Sequence, residues 1–202
     1  MESRIVYFEK QGKTNTEEVL RISRQRAKEL GIKTVVVSTT TGYSAIKALE
    51  VFEGSGIKVV IVSEATGMYT PDVQEMTPEN QEIIKRKGGI VLTTTHALAG
   101  IDRAWRNKFN TWLLADVISS TLRLFGEGIK VCPEIAIMAA DAGLVRCDED
   151  VICIAGSHRG ADTAVVLRPV NTHRFFDMRI KEILCKPLNP FPTVQPGQVA
   201  QK

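Results

Sequence analysis

Apolar positions along this chain follow two rhythms. Short, mostly β-branched runs recur at Val35-Val36-Val37, Val59-Val60-Ile61-Val62, Ile90-Val91-Leu92 and Val151-Ile152-Cys153-Ile154. Between them, apolar residues return at helical spacing. Branching at Cβ stiffens the side chain and favours strands, and unbroken apolar runs fit strands covered on both faces.

In chain order, Arg4 to Phe8 reads as a first strand or an arm pairing with an edge. Thr14-Asn15-Thr16-Glu17-Glu18 then opens a helix as a capping box, and Gly31 stops it. Helices are also expected at Tyr43 to Phe52 and from Thr77-Pro78, where a cap precedes a proline at the first position. Three strand runs each followed by a helix predict a parallel sheet with right-handed crossovers.

The middle of the chain is expected to be helical over Ala97 to Phe109, Trp112 to Phe125 and Val131 to Ala142, with Gly126-Glu127-Gly128 breaking the second from the third and Pro133 near the start of the last. The nearly all-apolar Ile135 to Ala140 must be buried, either against the sheet or against a second subunit. Ala164 to Val170 follows Val151 to Ala155 after a short loop, so it should run antiparallel. Arg179 to Cys185 adds a strand on an edge. The expectation is a three-layer α/β/α fold in one domain, 1–186, with a mostly parallel five-stranded sheet of order 3-2-1-4-5, strand 5 antiparallel, and extra edge strands. Residues 187–202, with Pro190, Pro192 and Pro196, are expected to form an extended tail.

Composition narrows the function classes. At 202 residues with 44% apolar side chains the chain can bury a full core. A net charge of +3 from scattered Lys and Arg does not favour nucleic acid, and no apolar run approaches a membrane span or a signal peptide. Cys132, Cys147, Cys153 and Cys185 lack CxxC spacing and sit in apolar surroundings, as expected of buried, reduced thiols in a cytoplasmic protein.

The candidate chemistry lies where strands end. After Val37 come Ser38 and then Thr39-Thr40-Thr41-Gly42-Tyr43-Ser44; the later exits read Ser63-Glu64-Ala65-Thr66-Gly67 and Thr93-Thr94-Thr95-His96. Parallel strands place these exits on one carboxyl-terminal rim, where open α/β sheets bind ligands. A helix N-terminus there offers free amides and a positive dipole end, so a phosphorylated small molecule is the expected partner. Capping alone would explain one hydroxyl, but three consecutive threonines exceed what a cap uses.

Gly156, Ser157, His158, Arg159, Gly160, Ala161, Asp162 and Thr163 form a glycine-flanked loop with two further donors. His158 and Arg159 read either as a solvated tip or as anion ligands. His96 reads as a ligand contact or a helix cap, while Asp141 and Asp162 are explained by helix and turn duties or by orienting a substrate. No Gly-x-Gly-x-x-Gly fingerprint, P-loop lysine or nucleophile elbow is present.

The hydroxyl–glycine turn after a central strand, paired with the later glycine-flanked hairpin, resembles the C-terminal domain of pyruvate kinase, with about Glu17 to Val170 following its plan. In effector-regulated members the equivalent turn holds a sugar phosphate. Phe125-Gly126-Glu127-Gly128-Ile129-Lys130-Val131, with Glu134 to Gly143, looks like a small, mostly archaeal family of stand-alone proteins of this kind with no assigned reaction. That resemblance implies an FMN ligand. On the geometry of the shared rim alone, phosphate contacts are expected from Thr39 to Ser44, and ribityl and ring contacts from Ser63 to Gly67 (Ser63, Thr66 and Gly67 foremost), Thr93 to His96 (Thr94, Thr95 and His96 foremost) and the Gly156 to Thr163 loop. The catalytic barrel of pyruvate kinase is absent, so phosphoryl transfer from phosphoenolpyruvate is not inherited. Four functions remain open: a non-catalytic sensor or carrier of FMN, an FMN-dependent oxidoreductase, a sugar-phosphate-sensing regulatory module, or an oligomerisation unit built on the apolar helices between Trp112 and Gly143. Trp105 and Trp112 are expected as core or interface anchors, and a homo-oligomer is expected.

Overall fold

In the computed structural model, which describes residues 2–189, one sheet contains the strands β1 (Val6–Phe8), β2 (Thr34–Thr39), β3 (Lys58–Ser63), β4 (Ile90–Thr93), β5 (Val151–Ala155), β6 (Thr163–Arg168) and β7 (Arg179–Pro187). Their order is β1-β7-β6-β5-β2-β3-β4. The five expected strands are thus neighbours in the expected order, and β7 and β1 extend the sheet beyond β6. Strand β6 is antiparallel to both its neighbours, while the other pairings are parallel. β7 is not an edge strand: β1 covers it, pairing Val6 with Cys185. Pro187 closes β7, and the tail expected beyond it lies outside the described residues from 190 on.

The β-branched run of β2 feeds two cores at once. Val35 and Val37 pack with α1 (Thr16–Leu30), α2 (Tyr43–Phe52) and α3 (Pro78–Arg86) on one face. Val36 packs with the opposite layer, formed by α6 (Glu127–Asp141). All three valines are fully buried, each side chain contributing about 1.5–3 kcal/mol relative to exposure. Between β4 and α6 lie α4 (Gly100–Phe109) and α5 (Leu114–Arg123), each beginning later than the sequence pattern suggests. Only α5 packs on α6.

Three local expectations are corrected. Helix α6 starts at Glu127, so Pro133 is interior rather than near the first turn. Its missing N–H leaves the carbonyl one turn back without its usual partner. Nearly continuous burial from Gly128 to Ala140 overrides that cost. Gly128 is read as a helix breaker but sits inside α6 because the helix passes against β6: a Cβ there would stand 2.2 Å from Thr163 Oγ1. The capping box at Thr14 does not form. A short 3-10 turn, Lys13–Asn15, precedes α1, and Asn15 makes no side-chain cap. The Thr16 hydroxyl instead bonds the glycine loop described below.

Candidate functional site

Parallel strands β2, β3 and β4 end level with one another, Thr39 opposite Ser63 and Ser63 opposite Thr93. Alternation along a strand turns these three hydroxyls toward the α2–α3 face, the side already occupied by Val37 and Ile61. Ser63 Oγ and Thr93 Oγ1 lie 2.6 Å apart. Thr39 Oγ1 accepts from Gly42 N at 3.0 Å, so this threonine closes the turn before α2, whose N-cap is Gly42 with no side-chain cap. Gly42 has φ 99, and a Cβ on it would meet Asn80 Cβ at 2.9 Å. Asn80 Nδ2 donates to the Thr41 carbonyl at 2.7 Å, fixing the turn to the start of α3.

Helix α2 makes its first internal bond from Ile46 N to Gly42 O. The amides of Tyr43, Ser44 and Ala45 come before that ladder and point out over the rim. Tyr43 and Thr40 are half-buried, Thr41 is exposed and Ser44 is buried. Lys13 Nζ lies 4.2 Å from the centroid of the Tyr43 ring, which brings a cation to the first residue of the helix.

Lys13 is held there by the Gly156 to Thr163 loop. Thr16 Oγ1 accepts from Ala161 N at 3.0 Å and donates to Lys13 O at 2.8 Å. A Cβ on Gly160 would stand 2.5 Å from Lys13 Cα, so only glycine permits this approach. Asp162 is wholly buried, and its carboxylate accepts from Gly12 N at 2.8 Å, Ser157 N at 3.1 Å and Thr163 Oγ1 at 2.8 Å. Asp162 and Thr163 are therefore spent on clamping the loop to the turn before α1. His158 and Arg159 stand exposed at the loop's tip. Ser157 Oγ is buried with no partner among the described residues, the one orphaned hydroxyl of this loop.

A second group flanks the first through Thr40. Its Oγ1 lies 3.5 Å from Glu64 Oε1, and Glu64 Oε2 accepts from His96 Nε2 at 3.1 Å. The Glu64 carbonyl accepts from Gln74 Nε2 at 3.0 Å. The hydrogen bond from His96 holds the Glu64 carboxyl below its usual range against the opposing effect of burial, with smaller help from the His96 and Arg103 charges. Thr66, Gly67, Thr94 and Thr95 are exposed around this pair, and Gly67 turns the chain with φ 80. Between β4 and α3 a cleft of about 270 Å³ opens beside Ser63 and Thr93, lined also by Gln74, Gln81 and Lys85.

The structure thus brings Thr39–Ser44 and the glycine loop together around Lys13, and Ser63, Thr40 and His96 together around Glu64. Lys13 is the residue that sequence reasoning missed, and Glu64, inside the Ser63 to Gly67 exit, is one it does not single out. Glu64 follows Ser63 as Thr40 follows Thr39, so the level strand ends would have matched them. Nothing local marks Lys13, whose role depends on a contact across the fold. Chemically, the first group offers amides, hydroxyls and a cation to an anion. The second holds an imidazole in place by a carboxylate. Among the described residues no cluster of three His, Cys, Asp or Glu side chains could hold a metal ion, and no helix is long and apolar enough to cross a membrane.

Residues 17–167 match the sequence family described as "Pyruvate kinase, alpha/beta domain". Among solved structures, pyruvate kinase of Cryptosporidium parvum in complex with ADP is similar at 15% identity and TM-score 0.38, covering 75% of this chain and 22% of that one. A hydrogen sulfide-producing enzyme from Fusobacterium nucleatum is similar at 13% identity and TM-score 0.32, covering 64% and 42%. An O-ureido-L-serine synthase mutant with bound O-ureido-L-serine is similar at 16% identity and TM-score 0.32, covering 69% and 49%. The chain spans less than half the length of each, and at these scores the likenesses define neither ligand nor reaction.

Proposed function

Since the chain belongs to the pyruvate kinase alpha/beta domain family, we propose that it binds a phosphorylated ligand, FMN, at the carboxyl rim of its sheet. The observation that carries this reading is the start of α2: three amides ahead of the helical ladder, the exposed Thr41 just before them, and the Lys13 ammonium over the ring of Tyr43, the first helical residue. Amides and a cation around a helix N-terminus suit a phosphate dianion, each charged hydrogen bond contributing about 1.5–3 kcal/mol. The residues fit the phosphate end of FMN, and the glycine loop that meets Lys13 keeps one unspent hydroxyl, Ser157. Thr39–Ser44 with Lys13 would hold the phosphate. Ser63, Thr66, Gly67, Thr94, Thr95 and His96, with His158 and Arg159, would meet the rest of the molecule.

The favoured role is a ligand-binding module that senses or carries its guest. A second reading, an FMN-dependent oxidoreductase, is favoured by one observation, the imidazole that Glu64 holds at the rim. Bound flavin would supply electron acceptance, and His96 would give or take a proton beside it.

The test is flavin fluorescence titration with FMN and with riboflavin, which lacks the phosphate, together with mass spectrometry of whatever heat releases from fresh protein. FMN should bind at least tenfold more tightly than riboflavin, and Thr41→Ala should weaken FMN by roughly tenfold, one hydrogen bond's worth, while leaving riboflavin unchanged. Equal affinity for the two flavins would sink the phosphate site; a competing sugar phosphate that displaces FMN would move the reading to a sugar-phosphate sensor. Anaerobic reduction of bound FMN by NAD(P)H or a ferredoxin separates the two roles, since a flavin that no such donor reduces argues against the enzyme.

A further inference from the structure

Helix α4 buries none of its ten residues. Yet Ile101, Trp105 and Phe109 recur at four-residue spacing and form one apolar stripe, 85%, 45% and 54% exposed. The rings of Trp105 and Phe109 meet at a tilt of 47°, their centroids 4.4 Å apart. Helix α5 and its C-cap carry a second stripe, Leu114, Val117 and Leu124, 66%, 51% and 72% exposed, on the side turned away from the layer formed by α6. Helices this short are marginal in water without a packed face. Arg106 paired with Asp116 holds α4 to the start of α5 and covers neither stripe.

Counting a whole large apolar residue as roughly 200 Å², the six side chains expose about 750 Å². Monomers rarely show an apolar patch above about 300–600 Å², and a standard interface takes about 800 Å² from each partner. We propose that the α4–α5 pair is a homodimer interface, closed by a second copy of this chain about a two-fold axis. An isologous contact presents the same stripes from both sides, so apolar surface meets apolar surface and these residues supply most of the area a standard interface takes. An anionic membrane is the competing occupant, given Arg103, Arg106 and Lys108 on α4. It fits less well, because Arg106 is already paired with Asp116 and Asp102 sets a negative charge among the remaining cations. The inference moves the expected association surface away from α6, which is buried against the sheet, and it does not depend on the ligand.

Sedimentation of the full chain at about 10 μM tests it, with Ile101→Glu and Leu124→Glu as separate variants and far-UV circular dichroism to verify folding. Wild type should sediment at twice the 22.3 kDa protomer mass, with tryptophan emission shifting to the red on dilution. Each variant should weaken association by roughly a hundredfold or more, as a charge placed at an interface centre does, and keep the wild-type circular dichroism spectrum, since both positions are largely exposed in the protomer. A wild-type monomer at this concentration, or a dimer that survives both substitutions, would overturn the proposal. So would a monomer that pellets with phosphatidylserine-containing vesicles.

Discussion

Replacing Asp162 with alanine asks how firmly the glycine loop is bound to the chain's first helix. The substitution removes one buried carboxylate and leaves three donors without a partner: Gly12 N, Ser157 N and Thr163 Oγ1. A hydrogen bond to a charged acceptor contributes about 1.5–3 kcal/mol. Because the three share one acceptor, their losses do not add fully, and the expected cost is about 3–6 kcal/mol. That is a large part of the roughly 5–15 kcal/mol that keeps a domain folded. With a urea m-value of about 3 kcal/mol per molar for a chain of this size, the unfolding midpoint should fall by about 1–2 M. Asp162→Asn keeps one acceptor oxygen but turns an amide donor toward the others, so it should fall between wild type and alanine. Amide hydrogen exchange adds position: Gly12 and Ser157 should lose protection first, while β2 keeps its own. An alanine variant within about 1 kcal/mol of wild type, with both amides still protected, would refute this account of the clamp.

Thr39→Ala should cost about 1 kcal/mol in chemical denaturation, because Gly42 N loses its acceptor, whereas Thr41→Ala should stay within about 0.5 kcal/mol. Glu64 has its folded-state carboxyl lowered. Its contribution is therefore present above the unfolded glutamate value of about 4.3 and lost as pH falls through the lowered folded value. Wild type should exceed Glu64→Gln in stability at pH 7, and the difference should close on acidification; a gap that widens toward low pH would reverse the assignment. Cys147 is exposed while Cys132, Cys153 and Cys185 are buried, and burial pushes those three thiols up. A thiol reagent should thus label Cys147 alone in native protein and the rest only in denaturant.

The central sheet was legible because unbroken β-branched runs have few other solutions, and Val35 to Val37, Ile61 and Ile154 are buried as their pattern requires. The rim followed from parallel strands alone. Boundaries failed where a distant contact overruled a local rule. Gly128 reads as a breaker, yet it stands in α6 because Thr163 leaves no room for a side chain. Thr16 reads as capping chemistry, yet its hydroxyl is taken by Ala161 and Lys13. Cys147 reads as buried beside Val145, yet it lies exposed. A Gly42→Val substitution would strike Asn80 as well as alter the site, so Thr41→Ala is the cleaner probe.

The pairing of β1 with β7 joins positions as far apart as Val6 and Cys185. On a ribosome β1 therefore waits, unpaired, until β7 and all the strands between them have been made. Its docking must be among the last events of folding, with a closure cost set by the length of chain between. Until then β7 presents a bare flank to any neighbour, so nascent or heat-loosened molecules should exchange this strand between chains before they come apart elsewhere.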